Sequence, residues 1–391
     1  MENLINFYDG CLVGDELWFS NLNFNALMKM NIKTGKTEFV DTFPYLADTQ
    51  EFAHIRTIRY DDCLYFISYR NRVIHIWNLM ELKWEKTVHI NCSEIENAFL
   101  YNNEIWLFPA SLKNPIVKFN LKDRKEIVLN ELTEQINAIN SKCISILSET
   151  VSLCIDKLII ASYEGNTVIT IDCKTEQITN KYSFDDISIS GIKVKDKKHF
   201  WVWFTNSADI YLVSETEGNI DRINTEINFQ RNRTPFSNMI NIDEHRALVL
   251  PRHTEEILLI DTLINETNKL KIPNEFKRCK VTSLLLFYKQ VDGFTFLFPC
   301  GGNNLLIVNA NTMSISHISF IVDDEFLEYA KKMKRKIFNS MIYSGDLSEG
   351  KGWTEMLPNF LDKVCEGSKA VTKCDNKHIG TDIFIEIKNI L

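Results

Sequence analysis

The chain has 391 residues, carries a net charge of −8, and is 45% apolar and 25% charged, an ordinary globular balance. Its acidity argues against nucleic acid as the main partner, where a basic face is expected. There is no apolar run of about 18 residues to form a membrane span, and the opening MENLINFYDG lacks the basic-then-apolar order of a signal peptide.

The first unit is residues 16–44, ELWFSNLNFNALMKMNIKTGKTEFVDTFP: two alternating apolar runs, a short turn and a third run. The layout recurs six more times before residue 325. Each copy has an apolar opener and, 14 or 15 positions later, an Asn, Asp or Ser. The pairs are Leu17/Asn31, Leu64/Asn78, Ile105/Asn120, Leu158/Asp172, Phe200/Ser214, Ala247/Asp261 and Phe294/Asn309. The openers run from 17 to 294 in six steps, a mean period of about 46 residues, which is the spacing of propeller blades. A two-residue polar turn precedes each opener: Gly14-Asp15, Asp61-Asp62, Asn102-Asn103, Asp156-Lys157, Asp196-Lys197, Asp243-Glu244 and Asp292-Gly293. Asn, Asp and Gly tolerate the positive φ that tight hairpins require. Each unit is therefore four strands, a to d. The predicted fold is all-β, a seven-bladed β-propeller of four-stranded blades over residues 1–322, with a C-terminal α-helical extension over 323–391.

Period-two alternation shows in Ala26–Asn31 and Ile116–Asn120, where a lysine interrupts the apolar residues. Other runs, such as Leu305-Leu306-Ile307-Val308, are continuously apolar, as expected where both sheet faces pack on neighbouring blades. Trp18, Tyr65, Trp106 and Trp201 recur on strand b and are assigned to inter-blade packing in preference to a ligand platform. The connector from Thr133 to Leu147 is longer than the rest and is expected to carry a helical turn. Blade seven supplies its own outer strand, Ser314 to Ile321. No exchanged strand then closes the ring, and its seam is expected to rest on side-chain packing.

After Val322 the pattern changes. Asp323, Asp324 and Glu325 head a helix whose stripe is Phe326, Ala330, Met333, Ile337 and Met341. Its lysines and Arg335 are read as a solvated face. Pro358 to Val364 reads as a second short helix, and Ile379 to Leu391 fits helix or strand, with helix favoured. About 70 residues bury too little surface to fold well alone, so this tail is expected to dock on the propeller. The ten cysteines form no CxxC and read as reduced thiols of a cytoplasmic protein; the abundance of Ile, Asn and Lys points to an AT-rich bacterial genome.

In a four-stranded blade the b–c and d–a loops emerge on one face, around the mouth of the central channel, where several blades can converge on one ligand. Arg70, Arg72, Arg231, Arg233, Arg252 and His253, with His54, are the candidate ligand-binding residues, and arginines suit carboxylate or phosphate groups. The bland alternative is a set of solvated loop residues. Asn25, Asn114, Asn166 and Asn303 recur six residues before the second marker and are read as turn residues. His75 lies in a strand and His199 borders a turn, so neither is placed at the mouth. No GxSxG, HExxH, Walker or GxGxxG motif occurs. No catalytic residue, metal or cofactor is assigned.

Residues 16–44, with LWF, N-A-L, K-T-G-K and E-F, and in part WVWFT at 201–205, resemble the blade repeat of the streptogramin (virginiamycin B) lyases and related seven-bladed propellers. The other blades match in layout only. The resemblance implies a metal-assisted elimination that opens a cyclic depsipeptide, using histidine and glutamate on the propeller face. In this chain that activity would fall to His253 and Glu255, and the family's histidine motif is not matched. The layout is also similar to kelch-type and quinoprotein-like propellers that only bind. The expected function is a cytoplasmic, monomeric, non-enzymatic scaffold that takes a protein, peptide or glycan on its loop face, with neither nucleic acid nor membrane as partner. The alternative is a metal-assisted lyase or hydrolase at the channel mouth.

Overall fold

The computed structural model describes the chain apart from residues 1–4, 48–49, 51–52, 93, 112, 140–150, 162–164, 185–187, 217, 219, 230–233, 253–255, 271, 274–284, 300–303 and 344–391. It divides into two compact units, Met1–Phe326 and Leu327–Leu391.

The first unit is the seven-bladed propeller. Blade one is β1 (Gly10–Val13), β2 (Glu16–Ser20), β3 (Leu27–Asn31) and β4 (Lys36–Asp41). Blade two is β5 (His54–Tyr60), β6 (Cys63–Ser68), β7 (Val73–Asn78) and β8 (Lys83–His89). Blade three is β9 (Ile95–Tyr101), β10 (Glu104–Pro109), β11 (Ile116–Asn120) and β12 (Glu126–Leu129), followed by helix α1 (Asn130–Ile139). Blade four is β13 (Val151–Cys154), β14 (Lys157–Ala161), β15 (Thr167–Asp172) and β16 (Gln177–Ser183). Blade five is β17 (Ile189–Val194), β18 (His199–Phe204), β19 (Asp209–Ser214) and β20 (Ile220–Asn224). Blade six is β21 (Phe236–Asn241), β22 (Arg246–Pro251), β23 (Ile257–Asp261) and β24 (Glu266–Leu270). Blade seven is β25 (Leu285–Val291), β26 (Phe294–Pro299), β27 (Asn304–Asn309) and β28 (Ile315–Ser319). Neighbours within each blade pair in sequence order. The strand β29 (Ile321–Val322) and helix α2 (Asp324–Tyr343) follow.

In six of the seven repeats the second marker is a side-chain cap. Asn31, Asn78, Asn120, Asp172, Asp261 and Asn309 each accept the backbone N–H groups two and three residues on, at 2.8–3.4 Å. This Asx geometry starts the c–d turn. The turn closes with a left-handed residue four positions after the marker in every blade: Gly35, Leu82, Arg124, Glu176, Gly218, Asn265 and Met313. The a–b hairpins are less uniform than expected. Five are two-residue connections, although in blade four the pair is Ile155-Asp156, one residue earlier than the sequence suggests. Blades five and six use four-residue turns instead. There Asp196 and Asp243 each accept two backbone N–H groups, so a side chain does the work of a positive-φ pair.

Strands b and c are apolar throughout because alternate residues serve opposite neighbours. Leu64 and Phe66 pack with Trp18 of blade one, whereas Tyr65 and Ile67 pack with Ile105 and Leu107 of blade three. Equivalent clusters join blades three to four, four to five, five to six and six to seven. Trp18, Tyr65, Trp106 and Trp201 all lie in these clusters, as expected. Lysines that break the apolar pattern are neutralised locally: Lys118 Nζ lies 3.1 Å from Glu104 Oε2 and 2.5 Å from Glu176 Oε1 of the next blade. The long connector is a ten-residue helix starting earlier than expected. Its Leu132 and Ile136 join the cluster between blades three and four, and Thr133 Oγ1 accepts Ile116 N–H at 3.0 Å.

The seam between blades seven and one differs from expectation. Blade seven does supply its own outer strand, but side-chain packing is not all that closes the ring. Past β28 the chain crosses to blade one and adds β29 parallel to β4, so the first blade has five strands. Ile321 N–H donates to Gly35 O at 2.9 Å, Asp323 N–H to Thr37 O at 3.3 Å, and Phe39 N–H to Asp323 Oδ2 at 3.2 Å. Nearer the axis, Phe7 stacks on Phe19 of blade one (4.2 Å between centroids) and meets Phe287 and Phe298 of blade seven at 5.9 and 5.5 Å. A two-residue strand carries no period, which is why the sequence pattern missed it.

Asp323 also caps α2 by accepting Phe326 N–H at 2.7 Å, as its acidic head suggested. Phe326, Ala330 and Met333 of the expected stripe are buried. The second short helix and the terminal run lie outside the described residues.

Candidate functional site: the mouth of the channel

The inner strands carry a feature the repeat does not advertise. In five blades strand a bulges near its mouth end, and the extra residues are Ile55, Glu96, Ser190, Ser237 and Leu286. A bulge inserts one unpaired residue and re-aims the side chains after it. Here the polar groups at and after the bulges turn mainly to neighbouring strands. Arg56, just past the first bulge, donates from Nε to Asn97 Oδ1 of blade three at 3.1 Å. Ser237 Oγ turns to the carbonyls of Leu250 and Pro251 (3.4 and 3.3 Å). Ser190 Oγ is buried with no hydrogen-bond partner among the described residues. Free N–H groups on the inner strands are met by neighbouring blades: Asp9 Oδ2 accepts Thr57 N–H at 2.8 Å, and Ser152 Oγ accepts Val194 N–H at 3.1 Å.

Arg70 and Arg72 share the β6–β7 loop on the mouth face, and both are exposed. The Arg70 guanidinium lies 5.1 Å from the Tyr69 ring centroid, and Arg72 sits at φ +52°. Arg252 opens the equivalent loop of blade six; its N–H donates to Pro235 O at 2.9 Å, and its Nε is buried without a partner among the described residues. Arg231, Arg233 and His253 lie outside the described residues. The structure thus groups Arg70 with Arg72 and sets Arg252 on a different blade.

His54 is placed in the interior, 4% exposed, at the start of β5. Its Nδ1 is 2.8 Å from Ser20 Oγ, at the end of β2, and its Nε2 is 2.9 Å from His75 Nδ1 on β7. His75 Nε2 is 3.0 Å from Pro44 O, in the connection between blades one and two. A carbonyl only accepts, which fixes the proton order along the chain. His75 donates from Nε2, so its Nδ1 accepts from His54 Nε2–H, and His54 Nδ1 accepts the Ser20 hydroxyl. Both rings are neutral. Burial pushes His54 well below the ordinary imidazole range, and the neighbouring His75 adds to this. Burial likewise lowers His75 to about 4, partly offset by its bond to Pro44 O. Phe43, Phe66 and Trp84 enclose the pair.

A serine against a histidine is the vocabulary of acyl transfer, but an attacking hydroxyl must reach substrate. Ser20 is 4% exposed and its hydroxyl is committed to His54. The arrangement secures the blade-one connection. Asn25 does the same from the other side: its side chain accepts Phe43 N–H at 2.8 Å and donates to Phe43 O and Leu46 O at 3.0 and 3.2 Å. In Asn25, then, the recurring asparagine is a buried clamp on that connection. Ser20 and His75 carried no sequence signal, being 34 and 21 positions from His54.

No protein-family model matches the chain, and no curated protein matches it by sequence. Solved structures match its fold. Virginiamycin B lyase from Staphylococcus aureus superposes with a TM-score of 0.55 at 13% identity, over 77% of this chain and 96% of that one. Kluyveromyces lactis Hsv2 gives 0.53 at 10% identity, over 81% and 99%. The computationally designed protein Ika8 gives 0.54 at 7% identity, over 81% and 90%. At these identities the likeness concerns the propeller architecture alone, and it agrees with the fold expected from the lyase-like repeat.

Proposed function

We propose that this chain is a non-enzymatic propeller that binds a protein, peptide or glycan partner through its loop face. The observation that carries this reading is the pair of exposed arginines on the β6–β7 loop, held on a frame of closely packed blades. Arg70 and Arg72 stand on that face, and anionic groups of the partner are their natural complement. The protein acts as a cytoplasmic bacterial monomer without a cofactor. None of its described helices is long and apolar enough to cross a membrane.

The test is affinity capture with the intact protein as bait, followed by a direct binding titration with the captured partner. Replacing both Arg70 and Arg72 with alanine is expected to weaken binding at least tenfold, an effect of about 1.4 kcal/mol or more, typical of desolvated arginine contacts. Lys33→Ala, on a c–d turn of the opposite face, should leave it unchanged. Equal loss in both variants would overturn the loop-face assignment. Stoichiometric divalent metal in the purified protein, lost on His253→Ala, would replace the reading with a metal-assisted lyase or hydrolase.

A further inference from the structure

The connection that leads from blade one to blade two is held on one side by the Asn25 amide and on the other by a pair of imidazoles. Each link of the chain from Ser20 through His54 and His75 to Pro44 O has one donor and one acceptor. An additional proton fits this chain only if the Ser20 hydroxyl gives up its bond to His54 and turns to accept in its place. A proton on His75 Nδ1 would face the N–H of His54 Nε2 across 2.9 Å, and a proton on His54 Nδ1 would face the Ser20 hydroxyl and force that hydroxyl to turn.

Among the described residues, no carboxylate acts on the pair to compensate a positive charge. From β2 the pair is faced by Ser20, from the connection by Phe43 and Pro44, from β6 by Phe66 and from β8 by Trp84. The charged groups nearby in sequence point elsewhere. Asp41 turns its carboxylate to Thr42 N–H at 2.7 Å, and Arg56 reaches to Asn97. The charge that acts on His75 from outside the pair is the exposed His89 of β8, which opposes a second positive charge. What the pair holds is specific: His75 grips Pro44 O, Trp84 Nε1–H donates to Thr42 O at 3.0 Å, and the Phe43 ring lies 4.1 Å from the His54 ring. Immediately beyond, Tyr45 is 91% exposed at φ +61°, at the loop face.

We propose that the His54–His75 pair is an acid-sensitive latch: uptake of one proton from solution by either ring places a charge in this enclosure and releases residues 41–46 from blade two while the propeller stays closed. The sign follows from linkage. Both rings stay neutral in the closed form below the pH at which a solvated imidazole charges, so the released form binds protons first. Closure is complete above about pH 6.5 and is lost as the pH falls toward 4. The latch stands whether or not the loop face binds the partner class proposed above.

Hydrogen exchange read by mass spectrometry on the full chain tests this. Protection of peptides spanning 40–47, corrected for the pH dependence of intrinsic exchange, should fall at least tenfold between pH 6.5 and 4.5, while peptides over β18 change less than twofold. In the double variant His54→Gln, His75→Gln neither side chain titrates while each amide can still donate and accept, and the pH dependence should vanish. Should that variant not fold, the long-range nitrogen–proton histidine spectrum of the unaltered protein decides. It must show two neutral rings with bare Nδ1 at pH 6.5, lost in step with the protection. Flat protection across this range, loss spread over all seven blades, or an unchanged profile in the folded double variant would each overturn the latch.

Discussion

Gly35→Ala is expected to open the seam of the propeller. Gly35 closes the c–d turn of blade one at φ +73°, where an L-residue is strained by about 1 kcal/mol. Six other blades tolerate that strain, five of them with non-glycine residues at the same turn position. Blade one cannot, for a second reason. A methyl group on Gly35 would lie 2.2 Å from Ser319 O and 2.8 Å from the Ile318 side chain, and the nearer atom is backbone that cannot swing aside. The end of β28 must move, and Ile321 N–H, which donates to Gly35 O, moves with it. Strain together with one or two lost backbone bonds amounts to about 3 kcal/mol. Calorimetry should show a lower unfolding midpoint, and exchange should rise first at Ile321 and Asp323. Ile321→Pro, which removes the N–H without crowding Gly35, should reproduce the exchange pattern. A Gly35→Ala protein that melts normally would show that the clasp contributes nothing.

Gly191→Ala is expected to be comparably damaging by a different route. Gly191 follows the bulge of β17 and needs no unusual φ, but the Trp203 indole lies where its side chain would be. A Cβ there would sit 2.1 Å from Trp203 Cζ2 and 2.3 Å from Cε2. Trp203 is fully buried among Ile210, Phe236 and Met239, at the interface with blade six. Overpacking of this kind costs about 1–3 kcal/mol and sometimes more. The clean check is a double-mutant cycle with Trp203→Leu, which vacates the space. Gly191→Ala should cost much less in that background, and simple additivity would contradict the steric account.

These two glycines show where sequence reading stops. The period and the second marker were legible because an Asx cap demands Asn or Asp, so chemistry at one atom left a mark in the sequence. The left-handed residue that follows left none, because Leu82, Arg124, Glu176 and Met313 accept that strain without signalling it. Bulges were silent for a similar reason: an extra residue in an inner strand shifts the register without changing composition. Arg70 and Arg72 could be placed on an exposed loop from the strand pattern alone. His54 could not, since its depth depends on Ser20 and His75 arriving from two other strands. His75, lying in a strand, is not placed at the mouth by the sequence pattern. The polar partner that makes it informative is a carbonyl, which no side-chain pattern encodes.

The parallel clasp also sets an order of events during synthesis. The four antiparallel strands of every blade lie in a single stretch of chain, so each set can form from local hairpins as it leaves the ribosome. The contact from Phe39 to Asp323 spans 284 positions and cannot form until the last blade has been made. By then the six earlier interfaces already hold the two ends near each other, and the entropic cost of joining them is that of a short flexible segment, far below that of a free loop of this length. Closure is therefore a late, inexpensive step, and amides of 37–39 should be among the last in the propeller to gain protection in pulse-labelled refolding. Until that moment the outer edge of β4 is an open template for a strand, and a nascent neighbour could fill it in place of the chain's own residues 321–322.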